Sequence, residues 1–336
     1  MYCVTARFFR RLGLSAAGSL ALGATAAAAG AAFNDPADLK AINDAEQVLQ
    51  SGTDMKELIG YYAPNAFVED IISPGVYRGR QAIEENFEEQ LKVVKTIHPD
   101  FQDTSIASDG KFACAALRIH FKSEMKDGSK IAMSVRELDV FKKLDDKWLI
   151  VQQHISVPMD GKTGMALMNV DLPVRGPMTW PQDPFSGTPT TPDKAKAEIK
   201  QWLIRGAPTV DIDQMLSYLG PGDQALIYDL TAPGEYRGLS EIRAAYAPQM
   251  STLASAKMTL LDFVVDSDGE FGAQIDTQNL ELHGKDGSTK TIYYRESDCM
   301  HRVDGKWQAF FEMLSFPADP KTGKSVTVDP AQHAAK

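Results

Sequence analysis

Hydrophobic and polar positions alternate along this chain with two periods, and the periods arrive in the same order twice. Leu39, Ile42, Ala45, Val48 and Leu49 fall at helical spacing. Asp35 stands in capping position with Pro36 as the first helical residue, and Gly52 marks the stop. Thr53 offers a cap for a second helix carrying Met55, Leu58, Ile59 and Tyr62. After Tyr77-Arg78-Gly79, the residues Ile83, Phe87, Leu91 and Val94 line up as a third. The period then shortens to two. Segments 111–123, 131–143 and 148–157 read as strands, punctuated by Asp109-Gly110, Asp127-Gly128 and Asp145-Asp146. Asp-Gly favours tight hairpins because both residues tolerate positive φ. The expectation is an α+β fold in which helices cover one face of a curved antiparallel sheet and leave a cavity beneath them.

The second occurrence is a copy. A shift of 159 residues aligns 70–164 with 229–323 without a gap. Asp70-Ile-Ile-Ser-Pro-Gly-Val-Tyr-Arg-Gly79 matches Asp229-Leu-Thr-Ala-Pro-Gly-Glu-Tyr-Arg-Gly238, and Arg136-Glu137-Leu138-Asp139 matches Arg295-Glu296-Ser297-Asp298. Further upstream the match continues with small length changes. The expected organisation is a first domain at 33–160, a linker at 161–191, a second domain at 192–323 and a tail at 324–336. The linker carries Pro173, Pro177, Pro181, Pro184 and Pro189, while its Trp180 and Phe185 argue that it packs on a domain. Two tandem cone-shaped domains follow.

Composition narrows the partners. At 43% hydrophobic and 24% charged, the 336 residues read as an ordinary globular protein. A formal net charge of −10 disfavours nucleic acid as a partner. Residues 1–32 form a separate object: Arg7, Arg10 and Arg11 precede an Ala/Leu-rich stretch at 12–29, followed by small residues at 29–31. That is the layout of a signal peptide, of the Sec or the twin-arginine type, and it points to a periplasmic protein. The stretch is too rich in Ala and Gly for a stable membrane anchor. Cys114 and Cys299 occupy non-equivalent places in the copies, which favours two buried thiols and leaves a bridge open. No Cys/His spacing resembles a zinc site, so neither metal nor cofactor is expected.

The segments Tyr62-Ala-Pro-Asn-Ala-Phe-Val-Glu-Asp70 and Tyr77-Arg-Gly-Arg-Gln-Ala-Ile83, with the closing strand Lys147–Pro158, resemble SnoaL-like domains of the nuclear transport factor 2-like superfamily, which includes the ketosteroid isomerases. The resemblance spans both copies. It implies a site at Asp70, where the isomerases place a proton-shuttling carboxylate, and at Asp139, where they keep a protonated Asp; Asp229 and Asp298 repeat the two. It also places Tyr77 at the pocket entrance. The isomerases' helix tyrosine is missing, because the matching positions hold Ala45 and Ile199, so steroid isomerisation is not expected.

The closing strands differ between the copies. Period two places Trp148, Ile150, Gln152, His154 and Ser156 on one face, against Trp307, Ala309, Phe311, Met313 and Ser315. If that face lines the cavity, the first pocket is polar and the second apolar, and His154 titrates near neutrality. Arg118 and His120 read as a solvated sheet face. Arg136 reads as a partner of the neighbouring Glu or as an anion ligand. Two readings remain. One is a cofactor-independent isomerase, lyase or cyclase acting by proton transfer on a small apolar organic molecule, with Asp70, His154, Asp139 and Tyr77 catalytic and Gln152, Arg136, Asp229, Phe311 and Met313 binding. The other is a non-catalytic periplasmic binding or scaffolding protein. In either, the two domains stand as an internal pseudo-dimer, with a homo-oligomer left open.

Overall fold

The computed structural model describes residues 33–170, 173–178, 180, 189–220 and 222–331. The leader and Phe185 lie outside the described residues. The first copy opens with α1 (Pro36–Ser51), α2 (Met55–Ile59), β1 (Tyr62–Glu69), β2 (Val76–Arg78) and α3 (Arg80–Val93). It closes with β3 (Val94–Ser108), β4 (Phe112–Met125), β5 (Lys130–Leu144) and β6 (Lys147–Ser156). The second copy follows the same order. It runs through α4 (Pro192–Gly206), α5 (Ile212–Ser217), β7 (Leu226–Tyr228), β8 (Glu235–Arg237) and α6 (Gly238–Met250). Its long strands are β9 (Leu253–Ser267), β10 (Phe271–Gly284), β11 (Thr289–Val303) and β12 (Lys306–Ser315).

Local chemistry explains the elements. Asp35 caps α1 by accepting from the Ala37 N–H at 2.8 Å. Asp54, one residue past the expected Thr53, caps α2 by accepting from Lys56 and Glu57. Gly110, Gly128, Gly269, Gly287 and Gly305 all take positive φ at the hairpin turns. Each sheet has six strands, ordered β2-β1-β6-β5-β4-β3 and β8-β7-β12-β11-β10-β9. The sheets are mixed: β1 runs parallel to β6, and β7 parallel to β12. The meander expected from sequence is therefore joined by a short parallel strand on its closing edge.

Each sheet buries both faces. On the inner face of the first, Ile42 and Ala45 of α1 and Ile83 of α3 pack on Ala115, Leu117, Ile119, Val135 and Phe141. On the outer faces the two copies meet, where Phe112, Cys114, Ala116, Leu138 and Val140 share a core with Phe271, Ala273, Cys299, Phe311 and Met313. Trp180 of the linker completes this core, with its Nε1 donating to the Gln224 carbonyl.

The contact between copies has approximate twofold symmetry. Arg136 Nη1 donates to the Asp229 carbonyl at 2.6 Å, and its repeat counterpart Arg295 Nη1 donates to the Asp70 carbonyl at 2.6 Å. Arg78 pairs with Asp262 as Arg237 pairs with Asp103. Ile72 bridges Ala318 as Met159 bridges Thr231. Phe112 stacks on its own counterpart Phe271, centroids 6.3 Å apart, which places this pair on the axis. The disulfide Cys114–Cys299, with Cα atoms 6.4 Å apart, crosses the same core. Its two positions are non-equivalent because it lies off the axis. The symmetry-related pair is Val140 and Ala273, in the same cluster. The buried-thiol expectation is corrected accordingly.

A bulge at one place in each closing strand decides what faces where. In the β5–β6 ladder Phe141 pairs with Ile150 but Val140 pairs with Gln152, leaving Val151 as the extra residue. In β11–β12, Met300 pairs with Ala309 but Cys299 with Phe311, leaving Phe310. One added residue exchanges the two faces of everything beyond it.

Candidate active site in the first copy

The bulge moves the expected terminal-strand residues out of the cavity. Trp148 and Ile150 belong to the inner core, but beyond the bulge Gln153 and Ile155 turn inward. Gln152, His154 and Ser156 turn toward the other copy. His154 is 0% exposed and held at both nitrogens: Nδ1 by Ser297 Oγ at 2.8 Å and Nε2 by Ser315 Oγ at 2.7 Å. Burial and the nearby charges of Arg295 and Arg136 hold its pKa well below the ordinary imidazole range, so it is neutral. His154 is an interface residue, not an acid in the pocket. Phe311 and Met313 likewise pack in the interface core, and Ser156 Oγ donates to Met313 Sδ at 3.3 Å. Arg136 grips carbonyls of the second copy rather than its neighbouring Glu or an anion. Arg118 is buried on Glu235 at 2.9 Å, not solvated, and His120 is joined to Ser134.

What lines the cavity is different. It has a volume of about 290 Å3. Leu58, Phe87, Leu91, Ile97, Phe121, Met133, Val135 and Ile155 form its walls. The polar lining includes Asp70, Asn86, Gln50, Tyr62, Glu137 and Gln153. Asp70 sits just past the end of β1, where its side chain accepts from the Ile71 N–H at 2.7 Å. Burial raises its pKa, against the opposing pull of that hydrogen bond, Arg295 and Asn86. Tyr77, opposite Val68 in the β1–β2 pair, packs on the same core but does not line the cavity. Burial raises its pKa first, and the charge of Asp70 adds to that.

Glu137 reaches the cavity from β5, across β6 from Asp70. Gln153 Nε2 donates to Glu137 Oε1 at 2.7 Å, and Gln50 Nε2 donates to the same oxygen at 3.0 Å. Tyr62 OH donates to Gln153 Oε1 at 2.8 Å. Behind Glu137 lie Asp139 and, on α1, Glu46, both fully buried. Burial and mutual repulsion raise all three carboxyls: Glu137 and Asp139 far above the ordinary range, and Glu46 to about 8. Shifts in this direction favour neutral acids over three charges side by side. Asp139 is raised in the direction that the resemblance implies, but it stands one carboxyl behind the cavity wall.

Sequence reading missed Glu137, Glu46, Gln50, Gln153 and Tyr62. A signal existed for two of them. Glu46 and Gln50 are one turn apart on the apolar face of α1, beside Ala45 and Leu49.

The inner face of the second copy reverses the expected contrast. Where the first has Ala115, Leu117, Ile119, Val135 and Gln153, the second has Gln274, Asp276, Gln278, Tyr294 and Glu312. Tyr294, at the position matching Val135, is buried and packs with Leu314 and Phe316. Burial raises the pKa of Asp229, the counterpart of Asp70.

Residues 39–160 match the SnoaL-like domain family. Solved structures similar to this chain include a nuclear transport factor 2-like protein of unknown function from Pseudomonas putida KT2440, 18% identical over 40% of this chain and 94% of that one, TM-score 0.36. Another is a nuclear transport factor 2-like superfamily protein from Salmonella enterica serovar Typhimurium LT2, 23% identical over 38% and 94%, TM-score 0.33. A third is a ketosteroid isomerase-like protein from Erwinia carotovora atroseptica, 15% identical over 35% and 95%, TM-score 0.30. No curated protein matches the sequence.

Proposed function

We propose that the chain, a tandem pair of SnoaL-like domains of the nuclear transport factor 2-like superfamily, binds a small, mainly apolar organic molecule in its first copy and moves a proton on it through Asp70. The observation that carries this reading is the cavity itself, with apolar walls, Asp70 just past the end of β1 and the Tyr62–Gln153–Glu137 network running across β1, β6 and β5. A carboxylate of raised pKa beside apolar walls is suited to take a proton from a carbon acid. The fixed polar network orients whatever acceptor or donor the ligand carries. The reaction class is isomerase- or lyase-like, with no second substrate. The protein acts after export to the periplasm. The Cys114–Cys299 bridge supports that compartment, because disulfides persist in oxidising surroundings.

A second reading, a binding protein without turnover, is favoured by one observation. His154, the side chain expected to complete an acid–base pair, is sealed in the interface. The deciding experiment screens small cyclic ketones and enones for a thermal shift, then follows exchange of their α-protons with deuterated solvent by NMR. Proton transfer predicts exchange that Asp70→Asn abolishes while binding persists. Binding without exchange in the parent protein supports the second reading. Absence of any binding, or binding unaffected by Val135→Tyr, overturns the site.

A further inference from the structure

The inner face of the second copy gathers carboxylates that the proposed reaction does not use. Glu296, Asp298 and Glu312 bring one oxygen each within 4.8 Å of one another. Oxygens that share one ion at bond lengths of about 2.4 Å lie no farther apart than this. Glu312 is 9% exposed and the other two are more deeply buried.

A fourth carboxyl group lies beside them. Asp276 is 1% exposed, and among the described residues neither of its carboxylate oxygens has a hydrogen-bond partner. Its neighbours two residues away on β10 show which face it occupies. Gln274 Nε2 donates to Asp298 Oδ2 at 2.7 Å and Gln278 Nε2 donates to Glu296 Oε2 at 2.7 Å. Asp276 lies between these two on the same face, paired across the ladder with Glu296. The amide oxygens of Gln274 and Gln278 are also buried without a partner. A buried carboxylate without a hydrogen-bond partner, set beside three others, asks for a positive charge.

Among the described residues no lysine or arginine forms an ion pair with these four carboxylates. The charges acting on Asp276, Glu296 and Glu312 are those of one another and of Asp298, Glu69, Asp262 and Asp229. Arg295 alternates to the outer face, where it donates to the Asp70 and Pro74 carbonyls.

We propose that Glu296, Asp298 and Glu312 bind one divalent hard cation on the inner face of the second copy, with the charge of Asp276 beside them, and that calcium is preferred. An all-oxygen donor set selects hard cations. Burial among protein carboxylates, with amide oxygens alongside, suits calcium better than magnesium, which retains several of its waters. The donors come from two neighbouring strands, so no spacing in the sequence reveals them. The site is independent of the cavity in the first copy.

The test uses the full mature chain stripped of metal with a chelator. Titration calorimetry with calcium chloride should show one saturable site per chain at micromolar to submillimolar affinity. Thermal denaturation should show a rise in Tm, with magnesium at least tenfold weaker. Glu296→Gln/Asp298→Asn should abolish both responses while raising the metal-free Tm, because buried repulsion is relieved. Glu312→Gln alone should weaken binding at least tenfold and serves if the double variant does not fold. Val135→Tyr in the first copy should leave calcium binding unchanged, which separates this site from the proposed ligand cavity. No saturable calcium binding, or binding of unchanged affinity in the carboxamide variants, overturns the proposal.

Discussion

The two copies share a fold and a set of carboxyl positions, yet their interiors have taken opposite courses. In the first, Val135 and its apolar neighbours leave an open cavity with a few polar groups. In the second, Tyr294 occupies the corresponding place, and Gln274, Asp276, Gln278 and Glu312 turn the inner face acidic. Their outer faces, by contrast, have stayed complementary: the same arginines reach across in both directions to the same kind of carbonyl. Duplication allows this division. The shared interface preserves the pairing of the copies, while each interior is free to change.

The largest expected effect breaks the pairing itself. Cys114→Ser or Cys299→Ser removes a crosslink between residues 185 apart in sequence and should cost about 2–5 kcal/mol. Urea denaturation with and without reductant checks this; reductant should have no further effect on either variant. Next come the two arginines. Arg136→Met and Arg295→Met each leave buried carbonyls unpaired and should each cost about 3 kcal/mol. A large difference between them would break the symmetry of the interface.

The pH dependence separates the interiors. Glu46 is pushed up to about 8 by burial and then by Glu137, and Asp298 to about 7 by burial. As pH rises from about 4.5, the unfolded chain ionises these carboxyls while the folded chain keeps its protons. The folded state then binds more protons, so stability falls with rising pH until these folded pKa values are passed. Denaturation followed from pH 5 to 9 in a chelator should show this decline. Asp298→Asn should flatten its part below 7, and Glu46→Gln its extension toward 8. The smallest effect is at His154. His154→Gln should leave any turnover within about twofold and cost about 1–2 kcal/mol, for two interface hydrogen bonds rearranged. A large loss of activity with an unchanged Tm would return His154 to the chemistry.

Much of the architecture was legible along the chain. Helical spacing from Leu39 to Leu49, the Asp-Gly turns and the shift of 159 residues determined the elements and their duplication, because period, turn chemistry and self-similarity are local properties. Asp70 was also legible as a cavity residue. Which face His154, Phe311 and Met313 present was not. It depends on one extra residue, Val151 or Phe310, absorbed in a bulge that only the neighbouring strand defines. Cys114 and Cys299 could not be paired from their unequal positions, since only the twofold contact makes those positions meet. The sequence by itself determined what each copy is built from. The tertiary structure decided which side of each sheet became interface and which became interior, because strand parity is local but its zero point is set across the ladder.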